Sequence, residues 1–163
     1  MNGKEIWRVS DVNLEVTFDH KSNVLSVNDK RSNKIWEQVP FDSGLTVEKV
    51  SQKGNILELE FNGPFAMSAT IELTEQSELY FSISADPKVS FEKISFPAAF
   101  QTPDKNHYLL QTDSQGLLLP VDDTFYPLEE QPFFYCGGGA SMAWIGVTDS
   151  AFETGYMAIF ETP

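Results

Sequence analysis

The stretch FPAAFQTPDKNHYLLQTDSQGLLLPVDD, Phe96 to Asp123, decides the fold class. An apolar segment, Ile94 to Phe96, meets Pro97 and gives way to the polar turn Thr102-Pro103-Asp104-Lys105-Asn106. Two short apolar runs follow, His107 to Gln111 and Gly116 to Pro120, joined by Thr112-Asp113-Ser114-Gln115. Runs this brief, bounded by Gly, Pro and Asp, are too short for helices and predict two buried strands with a polar connection. The second run opens into Val121-Asp122-Asp123, and the residues around it form the one cluster that reads as a binding rim.

Working outward, the same alternation recurs. Val12, Leu14, Val16 and Phe18 alternate with Asn13, Glu15 and Thr17, the period of a half-buried strand. Ile6 to Val9 precedes it, Val24 to Val27 returns as its hairpin partner, and Lys34 to Glu37 follows a second polar turn. Leu45 to Val50 and Asn55 to Phe61 pair across a turn holding Gly54, where a positive φ is expected. Phe65 to Leu73 and Glu78 to Ala85 form the next pair, with Leu79, Phe81 and Ile83 facing away from Tyr80, Ser82 and Ser84. Val89 to Phe96, Met142 to Thr148 and Tyr156 to Phe160 complete the strands. Thr124 to Phe134, with Pro127 and Pro132, reads as a long loop, and Phe133 to Tyr135 as a short strand before Gly137-Gly138-Gly139. Many short strands between turn signals, with at most a helical turn near Ala140 or Ser150, predict an all-β antiparallel sandwich. At 163 residues the chain is expected to be a single domain, residues 1–163.

Bulk composition excludes several function classes. A formal charge of −13 opposes nucleic acid, because phosphate contacts need Lys and Arg to displace counterions. No apolar run reaches the roughly 18 residues of a membrane span. The polar start, MNGKEIWRVSD, has no apolar core of a signal peptide, so a cytoplasmic location is expected; a processed fragment of a secreted protein reads the same way. The single Cys136 excludes an internal disulfide and reads as a buried thiol. The chain stops at Phe160-Glu161-Thr162-Pro163, directly after a strand, which predicts a longer parent protein.

Three segments resemble one family. Val24-Leu25-Ser26-Val27-Asn28-Asp29-Lys30-Arg31-Ser32-Asn33-Lys34-Ile35-Trp36 resembles the opening hairpin of the β-sandwich domains at the N-terminus of bacterial glycoside hydrolases. The Phe96–Asp123 stretch is similar to the later part of such domains, with its Phe-Pro, Tyr-Leu and Gln-Gly-apolar-Pro segments. Gly155 to Pro163 is similar to the strand before their exit. These domains belong to the galactose mutarotase-like supersandwich group. The resemblance implies a non-catalytic sandwich beside a downstream catalytic barrel, possessing a loop that lines the sugar pocket. The alternative is a free-standing carbohydrate-binding module or a structural interaction domain, with a homodimer formed through exposed apolar surface.

The chemistry-bearing residues fit binding better than catalysis. Glycosidases need two carboxyl groups flanking the scissile bond. Asp122-Asp123 is the best local pair, but adjacent residues on an extended segment point to opposite sides. A mutarotase needs an acid and a base around the ring, and nothing marks His20 and His107 as partners. No catalytic residue, cofactor or metal spacing is therefore assigned, although loop carboxylates at Asp122 and Asp123 leave a calcium ion open. For carbohydrate, an exposed ring stacks on the apolar face of a sugar while polar groups bond its edges. The residues selected on that basis are Tyr108, Gln115, Asp122, Asp123, Phe125 and Tyr126.

Overall fold

The computed structural model describes residues 5–41, 46–63, 66–88, 96–102, 104–113, 116–122 and 140–161. Among these the fold is all-β, without a helix, built from three antiparallel four-stranded sheets. The chain divides into two compact units, Met1–Gln101 and Thr102–Pro163.

The first unit is a sandwich of two sheets. One contains β1 (Ile6–Ser10), β2 (Leu14–Asp19), β3 (Val24–Asp29) and β4 (Lys34–Glu37), paired in chain order. The other contains β5 (Thr46–Lys53), β6 (Ile56–Asn62), β7 (Met67–Leu73) and β8 (Leu79–Ala85), again in chain order. Leu14, Val16 and Phe18 on β2 and Leu57, Leu59 and Phe61 on β6 are buried, as the period-2 pattern requires. Between the sheets Phe41 stacks on Phe18 at 6.1 Å and meets Phe61 edge-on at 6.1 Å and Phe96 at 5.7 Å. The rings thus fill the interior from both sides, in the offset and edge-on arrangements that aromatic quadrupoles favour. Polar ties join the sheets as well. His20 donates from Nε2 to the Val47 carbonyl at 2.9 Å, Gln52 donates to the Arg8 carbonyl at 3.0 Å, and Asn13 donates to the Ser77 hydroxyl at 2.9 Å.

Two local departures from simple alternation have clear causes. Val12 does not begin β2 and is 84% exposed. The Asp11 carboxylate accepts the N–H groups of Asn13 and Leu14, both at 2.7 Å, and this side-chain turn delays the strand to Leu14. On β5 the pairing with β6 slips between Val47 and Lys49. That bulge inserts one residue, so Val47 and Val50, three apart, both reach the core. Gly54, in the β5–β6 turn, has φ +60°, and Ser77, in the β7–β8 turn, also has a positive φ.

The second unit is one sheet in the order β10-β9-β11-β12, with β9 at His107–Asp113, β10 at Leu117–Pro120, β11 at Ala140–Asp149 and β12 at Gly155–Ile159. The two strands expected in the deciding stretch form and pair, Leu117 opposite Gln111 and Pro120 opposite Tyr108. Their expected burial does not hold. Leu117 and Leu118, neighbours whose side chains point to opposite faces of the sheet, are both exposed, and Tyr108, Leu109 and Leu110 are half-buried. The β9–β11 pairing is irregular between Ala140 and Ile145, and buried Thr112 holds the irregularity by donating its hydroxyl to the Met142 carbonyl at 2.7 Å. Ala140 is strand, not a helical turn. The expectations for Val89 to Ser95 and for Thr124 to Gly139 fall outside the described residues.

Candidate functional site: an aromatic end of the second unit

Antiparallel pairing brings three connections to one end of this sheet: the segment entering β9, the turn leaving β10 and the turn joining β11 to β12. The register sets Tyr108 between Pro120 of β10 and Thr148 of β11, with Gly155 of β12 beyond Thr148. Each connection is fastened. Before β9, the Asp104 carboxylate accepts the Asn106 N–H at 2.8 Å and the Nδ1–H of buried His107 at 2.9 Å. After β10, the Val121 N–H donates to the His107 carbonyl at 3.1 Å, which carries exposed Asp122 to the same end.

The β11–β12 turn is the most tightly determined. The Asp149 carboxylate accepts the N–H of Glu153 at 3.0 Å, the N–H of Thr154 at 3.1 Å and the Thr154 hydroxyl at 2.5 Å. The Phe152 N–H donates to the Asp149 carbonyl at 3.1 Å, and the Ser150 N–H ties the turn to the Asn106 carbonyl at 2.9 Å. At its exit a Cβ on Gly155 would collide with the Val147 carbonyl oxygen, so only glycine fits there.

This network holds Phe152 in an unusual state. Its φ is +58°, a left-handed conformation that a bulky side chain rarely adopts, and it is 64% exposed. Its ring stacks on that of Tyr108, centroids 6.1 Å apart and planes 14° from parallel. A bulky aromatic held outward at a backbone cost is the opposite of what core packing selects, and such strain concentrates at ligand contacts. Chemically, the end offers an apolar ring face beside carboxylate and backbone acceptors, the combination that suits a ligand with both C–H faces and hydroxyl edges. Nearby on β12, burial pushes the Tyr156 phenol above its ordinary range.

Of the residues selected from sequence, Tyr108 and Asp122 lie at this end. Gln115, Asp123, Phe125 and Tyr126 lie outside the described residues. Phe152 and its organiser Asp149 were missed. The available signal was a lone aromatic inside the polar turn DSAFETG, where no strand face needs it. The two histidines have separate structural contacts, His20 with the Val47 carbonyl and His107 with Asp104. Among the described residues no cluster of three or more His, Cys, Asp or Glu is arranged to hold a metal ion. Likewise, no helix there is long and apolar enough to cross a membrane.

Two concavities among the described residues lie in the first unit. One, of about 280 Å³, is lined by Thr17, Asp19, Ser22, Val24, Ser26 and Glu37. The other, of about 430 Å³, borders Glu48, Glu60, Met67 and Asp86. Both are open and rich in carboxylate, and neither presents an exposed ring, so the aromatic end is the stronger binding candidate. No protein-family model matches the chain, and no curated protein matches it either.

Proposed function

We propose that the chain is a non-catalytic β-sandwich accessory domain of a glycoside hydrolase, supporting a downstream catalytic barrel and contributing one wall of its carbohydrate pocket. The observation that carries the proposal is Phe152, exposed at positive φ and stacked on Tyr108. A sugar ring laid on Phe152 would bury C–H groups against the aromatic face, while the Asp122 carboxylate accepts from a hydroxyl at its edge. The resemblance of the Val24–Trp36, Phe96–Asp123 and Gly155–Pro163 segments to glycoside hydrolase sandwiches supplies the enzyme class. The family's catalytic carboxylates belong to the barrel, so this chain alone is inactive.

One wall makes a weak contact. Two rings and a carboxylate give millimolar affinity, about −4 kcal/mol, whereas a stand-alone binding module reaches micromolar, about −8 kcal/mol. Titrating a panel of neutral oligosaccharides into the chain and following backbone amide shifts tests this. Millimolar binding centred on Tyr108, Asp122 and Phe152, with no turnover of aryl glycosides, is expected. Micromolar binding there would favour the alternative, a carbohydrate-binding module; glycoside turnover would overturn the accessory assignment.

A further inference from the structure

The two units share the chain's charge unequally. Thr102–Pro163 holds nine Asp and Glu against the single Lys105, a net −8 of the chain's −13, whereas Met1–Gln101 holds fifteen against ten. The ion pairs Arg8–Glu15 at 3.5 Å, Arg31–Asp29 at 2.9 Å and Lys49–Glu60 at 2.6 Å all lie in the first unit. In the second, one lysine cannot neutralise nine carboxylates. The connection from Asp123 to Gly139 contributes Asp123, Glu129 and Glu130 and no lysine or arginine, so the sign of the charge does not depend on its course.

Four of these carboxylates belong to the three connections of the aromatic end. Exposed Asp104 stands before β9, exposed Asp122 follows β10, and Asp149 and exposed Glu153 bracket Phe152 in the β11–β12 turn. Carboxylates alone make only a solvated surface. Here they surround a ring that is itself turned outward and stacked on Tyr108. Glu153 is the chain neighbour of Phe152, so their Cα atoms are about 3.8 Å apart. That is well inside the roughly 8 Å over which physiological salt leaves surface charges in contact with one another. An aromatic face attracts a cation through its quadrupole, and carboxylates beside it add to the attraction. A uronate or sulfate meets repulsion from the same groups.

We propose that the aromatic end takes a glycan bearing free amino groups, with a hexosamine ring against Phe152 and its ammonium among the carboxylates of Asp122, Asp149 and Glu153. This rests on the carbohydrate reading of the same end and adds the charge of the ligand to it. The ring receives the C–H face of any sugar of suitable shape. The carboxylates then choose among sugars of like shape, favouring a cationic one over its neutral form and a neutral one over an acidic one.

Amide-shift titrations of the chain with three tetrasaccharides test this: a glucosamine tetramer, its fully N-acetylated form and a galacturonate tetramer, all in one mildly acidic buffer that keeps the amines protonated. At low salt the glucosamine tetramer is expected to bind about tenfold more tightly than the N-acetylated one, and the galacturonate tetramer most weakly. In about 1 M salt, where the screening length falls to about 3 Å, the preference should shrink to within about twofold. Glu153→Lys reverses one charge at an exposed position and keeps the backbone N–H bond to Asp149. It should cut the preference at least about threefold and leave the affinity for the N-acetylated tetramer unchanged. Equal affinities for the amine and N-acetylated forms overturn the proposal while the carbohydrate reading stands. So does a preference that survives both salt and Glu153→Lys, or amine binding centred away from Tyr108, Asp122 and Phe152. Shifts with none of the three tetramers overturn both.

Discussion

Replacing Phe152 by glycine separates a ligand platform from a packing residue. The left-handed backbone at φ +58° costs an L-residue about 1–2 kcal/mol, and glycine removes that cost. Against the gain stand the stacking on Tyr108, about 0.5–1.5 kcal/mol, and glycine's extra conformational entropy, about 0.5–1 kcal/mol. With the ring 64% exposed, little apolar burial is added to the loss. The terms cancel to within about 1 kcal/mol of zero, where truncating a packed phenylalanine costs about 3–5 kcal/mol. Urea unfolding followed by near-ultraviolet circular dichroism reads the difference. At a slope of about 1–3 kcal/mol per molar, the midpoint of Phe152→Gly should move by less than about 1 M. The same preparation should lose its oligosaccharide-induced shifts. A destabilisation of about 3 kcal/mol would refute the reasoning, because Phe152 would then be held by packing.

Other substitutions test the fold beneath the site. Phe41→Ala removes the ring shared by Phe18, Phe61 and Phe96 and should cost about 3–5 kcal/mol by urea midpoint, leaving sugar-induced shifts at Tyr108 in place. Thr112→Val keeps the volume but leaves the buried tie to the Met142 carbonyl unmade, a loss of about 1–3 kcal/mol; unchanged stability would show that the hydroxyl does not hold the β9–β11 irregularity. In acid, three turn carboxylates of the first unit act together. Hydrogen bonds from Arg31 hold Asp29 below the ordinary aspartate value, the Lys21 N–H does so for Asp19, and at Asp11 partial burial, which acts upward, is outweighed by N–H groups of Leu14 and Asn13. Because the folded values lie below the unfolded one of about 3.9, the stabilisation is present above that pH and is lost as the pH falls through the folded values. Urea midpoints should therefore drop below about pH 4, and Asp29→Asn should flatten the drop.

Much of the sandwich was legible because its physics is local. Leu14, Val16 and Phe18 alternate on one strand, and Gly54 marks a turn with no need of distant information. What was not legible depends on partners far along the chain or on side chains that capture the backbone. Val12 continued the alternation in sequence, yet the Asp11 carboxylate turned the backbone before the strand began. Leu117 and Leu118 read as buried because they are apolar, whereas both are exposed, since burial depends on what packs on a sheet's faces and not on the composition of the strand. At the site, Tyr108 and Asp122 were selected from composition around strand ends. Phe152 escaped because its significance lies in a positive φ and in the Asp149 network, which become visible only once β11 and β12 have paired.

The most direct test of the carbohydrate account is an amide-shift titration of the native chain and its Phe152→Ala and Tyr108→Ala variants with the same oligosaccharide panel. The account predicts millimolar shifts gathered around Tyr108, Asp122 and Phe152 in the native chain and their loss in both variants. Absence of binding to every member of the panel, or shifts centred on the first unit and unchanged in the variants, would contradict it.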